Sequence, residues 1–150
     1  QRLAPPPARM KKLEAGYQHM CGLDLGGKIW CWGNNYSDSG VTTPPEGGFT
    51  ELASAKHSSC AIDSDGAIQC WGDDTHNMVS DAPGGTFKQL SGGDLHYCAV
   101  STEDTLSCWG YSSYDLQVLD SDSDGLDKWT DCDDGDPDIG SCPSEGAGGL

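Results

Sequence analysis

Residues 49–72 read FTELASAKHSSCAIDSDGAIQCWG, from Phe49 to Gly72. Cys60 and Cys70 lie ten positions apart and flank the tripeptide Ser64-Asp65-Gly66. If Cys60 faces Cys70 across a hairpin, Asp63 faces Ala67 and that tripeptide is the loop. A three-residue hairpin loop takes a type I turn followed by a residue at positive φ, and Gly66 stands at that position. Counting outward from the loop places the cysteines on a non-hydrogen-bonded pair. There Cα atoms approach to about 4.5 Å, within disulfide range. Turn chemistry, register and cysteine spacing therefore agree on one hairpin closed by one disulfide. Alternation sets Cys60 and Ile62 on one sheet face with Ile68 and Cys70. Trp71, next to Cys70, points to the other face.

The same unit recurs without a gap at Met10–Gly33 (MKKLEAGYQHMCGLDLGGKIWCWG) and Phe87–Gly110 (FKQLSGGDLHYCAVSTEDTLSCWG), a period of 38–39 residues. Met10, Phe49 and Phe87 open a short first strand with Leu13, Leu52 and Leu90. The second strand runs through Cys21-Leu23, Cys60-Ile62 and Cys98-Val100. The third carries Ile29-Cys31, Ile68-Cys70 and Leu106-Cys108. The turn position held by Gly66 is Gly27 in the first copy and Asp104 in the third, where Asp is tolerated less well. Each 11-residue loop closed by a disulfide contributes roughly 2–3 kcal/mol in the chain-entropy account, less strain. Trp32, Trp71 and Trp109 lie on the face opposite the disulfides. A single unit cannot bury that face, so neighbouring units must cover it.

The C-x-L-D-x-x-G-x-I-x-C-W-G string, followed by Asn34-Asn35-Tyr36-Ser37, resembles the regulator-of-chromosome-condensation repeat in its bacterial secreted form. The resemblance spans residues 10–118. It implies four-stranded blades arranged radially, as in a β-propeller, and it does not imply the nuclear exchange-factor role. The expected fold is all-β, with three propeller-type blades forming an incomplete propeller or an open β repeat array. The blades are read as 10–48, 49–86 and 87–119. Propellers of this family close with about seven blades, and three cannot close a ring. The end blades must then expose edges and an apolar face, which drive association. Two outcomes follow: the chain is a piece of a longer protein, or copies of it complete one another into a ring or a filament. Residues 1–9 contain Pro5-Pro6-Pro7 and cannot be helical. They are read as a free tail or as an extended arm docked on a neighbouring unit.

Composition agrees with short, turn-rich strands. Only 35% of the 150 residues are hydrophobic, and 21 are Gly. Eight cysteines in four equal pairs, the fourth being Cys132/Cys142, point to an oxidising compartment, outside the cell or on its surface. A secreted protein would have Gln1 as its mature end after signal cleavage. The formal net charge is −16, which disfavours nucleic acid and anionic lipid as partners, and no apolar run approaches a membrane span.

Much of that charge lies in residues 115–150, where ten Asp and Glu145 face Lys128 alone. Residues 120–131 read DSDSDGLDKWTD. Asp120, Asp122 and Asp124 hold positions 1, 3 and 5 of a calcium loop, Gly125 position 6, Leu126 the carbonyl at 7, and Asp131 position 12. A second cluster comprises Asp131, Asp133, Asp134, Asp136 and Asp138, with Gly135 and Pro137 as turn residues. The plainer reading is a solvated acidic tail, but such tails do not keep D-x-D-x-D-G spacing. No flanking helices are evident, so this is not an EF-hand pair. The segment is similar to the metal-binding motif of secreted bacterial surface proteins and to type 3 thrombospondin repeats. That likeness implies one or two Ca²⁺ ions over residues 120–143, ahead of a Gly-rich tail at 144–150. Gly140-Ser141-Cys142-Pro143 departs from the motif's usual ending and blurs the second site.

No catalytic constellation emerges, and the chain is expected not to be an enzyme. Each cysteine has a partner at fixed spacing. His19 and His96 share one repeat position, which suits a structural slot. His57, Ser58 and Ser59 are adjacent, and neighbouring strand residues point to opposite faces. C-x9-C does not suit zinc. Asn35-Tyr36-Ser37 is a glycosylation sequon that matters only if the host modifies it. The functional expectation is a secreted, disulfide- and calcium-stabilised structural protein that self-assembles. The alternative is a binding module, an adhesin or protein-inhibitor fragment, whose loops 34–48, 73–86 and 111–119 grip another protein.

Overall fold

A computed structural model describes residues 6–111. These form nine strands in three antiparallel sheets: β1 (Met10–Ala15), β2 (His19–Asp24) and β3 (Ile29–Gly33); β4 (Phe49–Ser54), β5 (Ser58–Asp63) and β6 (Ile68–Gly72); β7 (Phe87–Gly92), β8 (His96–Ser101) and β9 (Leu106–Gly110). The all-β, three-bladed architecture is as expected. Each blade has three strands, however, where the family resemblance implies four. The segments after β3 and β6 hold Pro44, Pro45 and Pro83 with several Gly and Asp, and no alternating apolar run. Such residues do not sustain a strand ladder. The chain forms short 3₁₀ turns there, at Tyr36–Asp38 and Thr75–Asn77.

The hairpin registers follow the cysteines. Cys21 pairs with Cys31, Cys60 with Cys70 and Cys98 with Cys108, and the Cα atoms are 4.1, 4.0 and 4.1 Å apart. Asp63 N–H donates to Ala67 O at 2.9 Å and Gly66 N–H to Asp63 O at 3.0 Å, closing the Ser64-Asp65-Gly66 loop. Gly27, Gly66 and Asp104 sit at φ of 85°, 89° and 68°. A second device stiffens each loop. Asp24 Oδ1 accepts the N–H groups of Gly26 and Lys28, and Asp63 Oδ1 those of Asp65 and Ala67. Ser101 Oγ takes the same place in the third blade, accepting from Glu103 and Thr105. The Trp30 indole N–H and the amide of Gln69 hold Asp24 and Asp63 below the ordinary carboxylate range, helped by these backbone donors.

The first strand of each blade carries a β-bulge, between Met10 and Lys12, Phe49 and Glu51, and Phe87 and Gln89. In a regular strand Phe49 and Leu52, three apart, would point to opposite faces. The extra residue brings both into one core.

Blades stack in one sense. The disulfide face of the first blade, with Cys21, Leu23 and Ile29, packs on the tryptophan face of the second, with Phe49, Leu52, Ala61 and Trp71. Cys60 and Ile62 of the second blade pack likewise on Phe87, Leu90, Tyr97, Ala99 and Trp109 of the third. Burying one such Leu or Ile stabilises by about 1.5–3 kcal/mol.

Candidate functional site: the open faces of the end blades

Each blade–blade interface uses the same parts. The Trp71 indole N–H donates to Val41 O at 3.0 Å, and Trp109 to Met78 O at 3.0 Å. The loop leaving one blade thus caps the tryptophan of the next, so loops 34–48 and 73–86 are partly structural. Phe49 N–H donates to Gly27 O, and Phe87 N–H to Gly66 O, both at 2.8 Å. In the opposite direction Tyr17 N–H donates to Lys56 O at 3.1 Å and Lys56 N–H to Asp94 O at 3.0 Å. Lys12 Nζ meets Glu51 Oε2 at 2.9 Å across the first interface.

A polar pair is buried in each interface. His19 Nε2 lies 3.0 Å from Ser59 Oγ, which also contacts Ser54 Oγ at 2.9 Å. At the equivalent place Ser58 Oγ lies 3.0 Å from the Tyr97 hydroxyl. Ser58 and Ser59 do point to opposite faces, each toward a different neighbour. Burial, with His57 nearby, pushes His19 down to about 4, so it is neutral at pH 7. Burial also raises the Tyr97 phenol. A Ser–His pair is the arrangement of an activated nucleophile, but Ser59 and His19 are both sealed from solvent. The ring explains a covariation among the repeats. A Cβ on Gly16 would lie 2.1 Å from His19 Cε1, and one on Gly93 2.4 Å from His96 Cε1. Where the slot holds Ser58, the residue three earlier is Ala55.

Among the described residues, the outer faces of the first and third blades have no such partners. On the tryptophan face of the first blade, register places Leu13 opposite Gly22, Trp30 opposite Gly22 and Trp32 opposite Met20. Leu13 is 54% exposed, whereas Leu52, at the same position of the second blade, is 0% exposed. On the disulfide face of the third blade Leu106 is 67% exposed, whereas Ile29, its counterpart, is 3% exposed. Beside Leu106 a cleft of about 390 Å³ is lined by Leu90, Cys98 and Val100, with Lys12 and Glu51 at its side. Trp71 and Trp109 are buried, and Trp32 is only half-buried. A separate exposed cluster joins Tyr36, stacked on His57 at 3.6 Å, to Tyr17, edge-on to the same ring at 5.8 Å.

The expected metal ligands from Asp120 to Asp138, the Cys132/Cys142 pair, residues 1–5 of the arm and loop residues 112–119 lie outside the described residues. Among the described residues no group of three or more His, Cys, Asp or Glu could hold a metal ion. No helix among them is long and apolar enough to cross a membrane. Sequence reasoning missed the bulge, although the Phe-x-x-Leu spacing signals it. It also missed the Asp24, Asp63 and Ser101 loop caps and the Val41 and Met78 carbonyls.

The family described as Regulator of chromosome condensation (RCC1) repeat matches residues 10–38 and 87–115. The first and third blades are therefore similar to that repeat, and the second shares their register. No curated protein matches the chain. Among solved structures, the ectodomain of the Physcomitrella patens receptor kinase CR4 is 26% identical, with a TM-score of 0.61 over 72% of this chain and 31% of that one. The CRINKLY WD40 ectodomain of the Arabidopsis thaliana receptor kinase ACR4 is 30% identical, with a TM-score of 0.59 over 73% of this chain and 39% of that one. Yeast RCC1 (Prp20), in a structure bound to Kap60, is 18% identical with a TM-score of 0.61, over 87% and 35%, a likeness of fold alone. The chain thus spans between about three and four tenths of these structures' lengths.

Proposed function

We propose that this is an extracellular, disulfide- and calcium-stabilised structural module that self-assembles through its open blade faces into a closed ring or a filament. The observation that carries this reading is that, among the described residues, Leu13 and Leu106 stand exposed at positions whose counterparts Leu52 and Ile29 are core. Exposed apolar sheet faces of this kind favour association. Three disulfides suit an oxidising compartment, and likeness to two receptor-kinase ectodomains agrees with it. The acidic segment supplies hard oxygen donors at calcium-loop spacing, the donor chemistry Ca²⁺ takes.

Sedimentation of the purified chain in millimolar calcium, followed by electron microscopy, tests the assembly. Species that grow with concentration are expected, and a monodisperse monomer at high concentration overturns it. Chelation should raise proteolysis within residues 120–142, because the carboxylates then repel one another. Unchanged protease resistance there would remove calcium from the proposal while leaving assembly standing.

A second reading, a binding module that grips another protein, is favoured by the exposed Tyr17–Tyr36–His57 cluster. A monomer that holds a partner, and loses it when Tyr17 and Tyr36 become Ala, would replace the first reading.

A further inference from the structure

We infer that assembly is head to tail: the tryptophan face of the first blade of one copy docks on the disulfide face of the third blade of the next. The inference rests on the self-assembly reading and fixes which surfaces meet.

Both internal interfaces join a disulfide face to the tryptophan face that follows it. The ends carry the two halves of this same joint. The Leu106 cleft, lined by Cys98 and Val100, corresponds to the surfaces of Cys21, Leu23 and Ile29, and of Cys60 and Ile62, that receive Leu52 and Leu90. The matching projection is Leu13, flanked by Trp30 and Trp32.

Backbone groups are complementary in the same sense. The donor that continues the Tyr17-to-Lys56 and Lys56-to-Asp94 series is Asp94 N–H, and the acceptor that begins it is Tyr17 O. The acceptor that continues the Gly27 and Gly66 series is Asp104 O, and the matching donor is Met10 N–H. Both bonds repeat the internal ones when the third blade meets a first blade.

One part of the joint changes: the buried polar pair becomes His96 against Met20. Such a heterologous contact propagates as a filament or closes as a ring.

The test uses two variants of the full chain, Leu13→Arg and Leu106→Arg, studied in calcium by sedimentation. Both positions are exposed, so each variant should keep the monomer fold. Each has one dead end and should sediment as a monomer under conditions where the parent chain assembles. An equimolar mixture should form a 1:1 dimer and stop, because each partner supplies one live face. If either variant dimerises alone, or both assemble as the parent does, the face pairing is overturned while self-assembly survives. If the mixture stays monomeric, the pairing is likewise overturned. A parent chain that is monomeric throughout overturns both readings.

Discussion

Leu52 and Leu13 fill the same position of two successive blades, yet one is sealed in a core and the other stands half in water. Nothing local separates them: the strands, bulges and hairpin registers match. What differs is whether a disulfide face lies in front. The third blade shows the converse, with Leu106 bare where Ile29 is covered. A blade is therefore a half-finished object whose energetics are decided by its neighbour, as in any stacked repeat.

Truncation should show this contrast most strongly. Leu52→Ala should cost about 2–5 kcal/mol through lost burial and a cavity. Leu13→Ala in the monomer should stay within about 0.5 kcal/mol. Urea unfolding of the two variants measures the gap, and equal losses would mean that the first blade's open face is covered in solution.

The disulfides offer the next effect. Replacing Cys60 and Cys70 by Ala should cost roughly 2–3 kcal/mol. Cys60 is enclosed by the third blade, whereas Cys98 lies on the uncovered face. Graded reduction of the monomer should open Cys98–Cys108 first, read by alkylation and mass spectrometry, and assembly should slow it.

Acid should loosen the closed interfaces before the hairpins. His19 is held near 4 when folded but titrates near its ordinary value of 6.5 when unfolded. The unfolded chain binds the extra proton between those values, so stability falls as pH drops from about 6.5 to 4, by on the order of 2 kcal/mol. Below that window the depressed carboxylates of Asp24 and Asp63 are protonated in turn and further stability is lost. A thermal-melt series of His19→Gln should flatten the upper window and leave the lower one.

The smallest effect concerns the turns. Asp104 pays for a left-handed conformation that Gly27 and Gly66 adopt freely. Its exposed ion pair with Lys88 returns little. Asp104→Gly should stabilise by about 0.5 kcal/mol in calorimetry, whereas Gly66→Asp should destabilise.

Much of this was readable in the residues. Two cysteines, a turn glycine and alternation decide a hairpin because each acts over a few positions along the chain. The tryptophan's need for a covering neighbour was readable for the same reason. The bulge was half readable, from Phe49 and Leu52 standing three apart. The Ser59–His19 and Ser58–Tyr97 pairs were not, since residues 40 and 39 positions apart meet only after the blades stack. Loops 34–48 and 73–86 read as binding surfaces, but Val41 and Met78 turn back to cap a tryptophan.

Short-range spacing along the chain is enough to set the repeat, the strand registers, the three staples and the disulfide-face and tryptophan-face division of every blade. Which face meets which, and in what direction, emerges only when the blades pack. That choice depends on backbone donors and acceptors and on packing between segments distant in the chain, which no local pattern encodes.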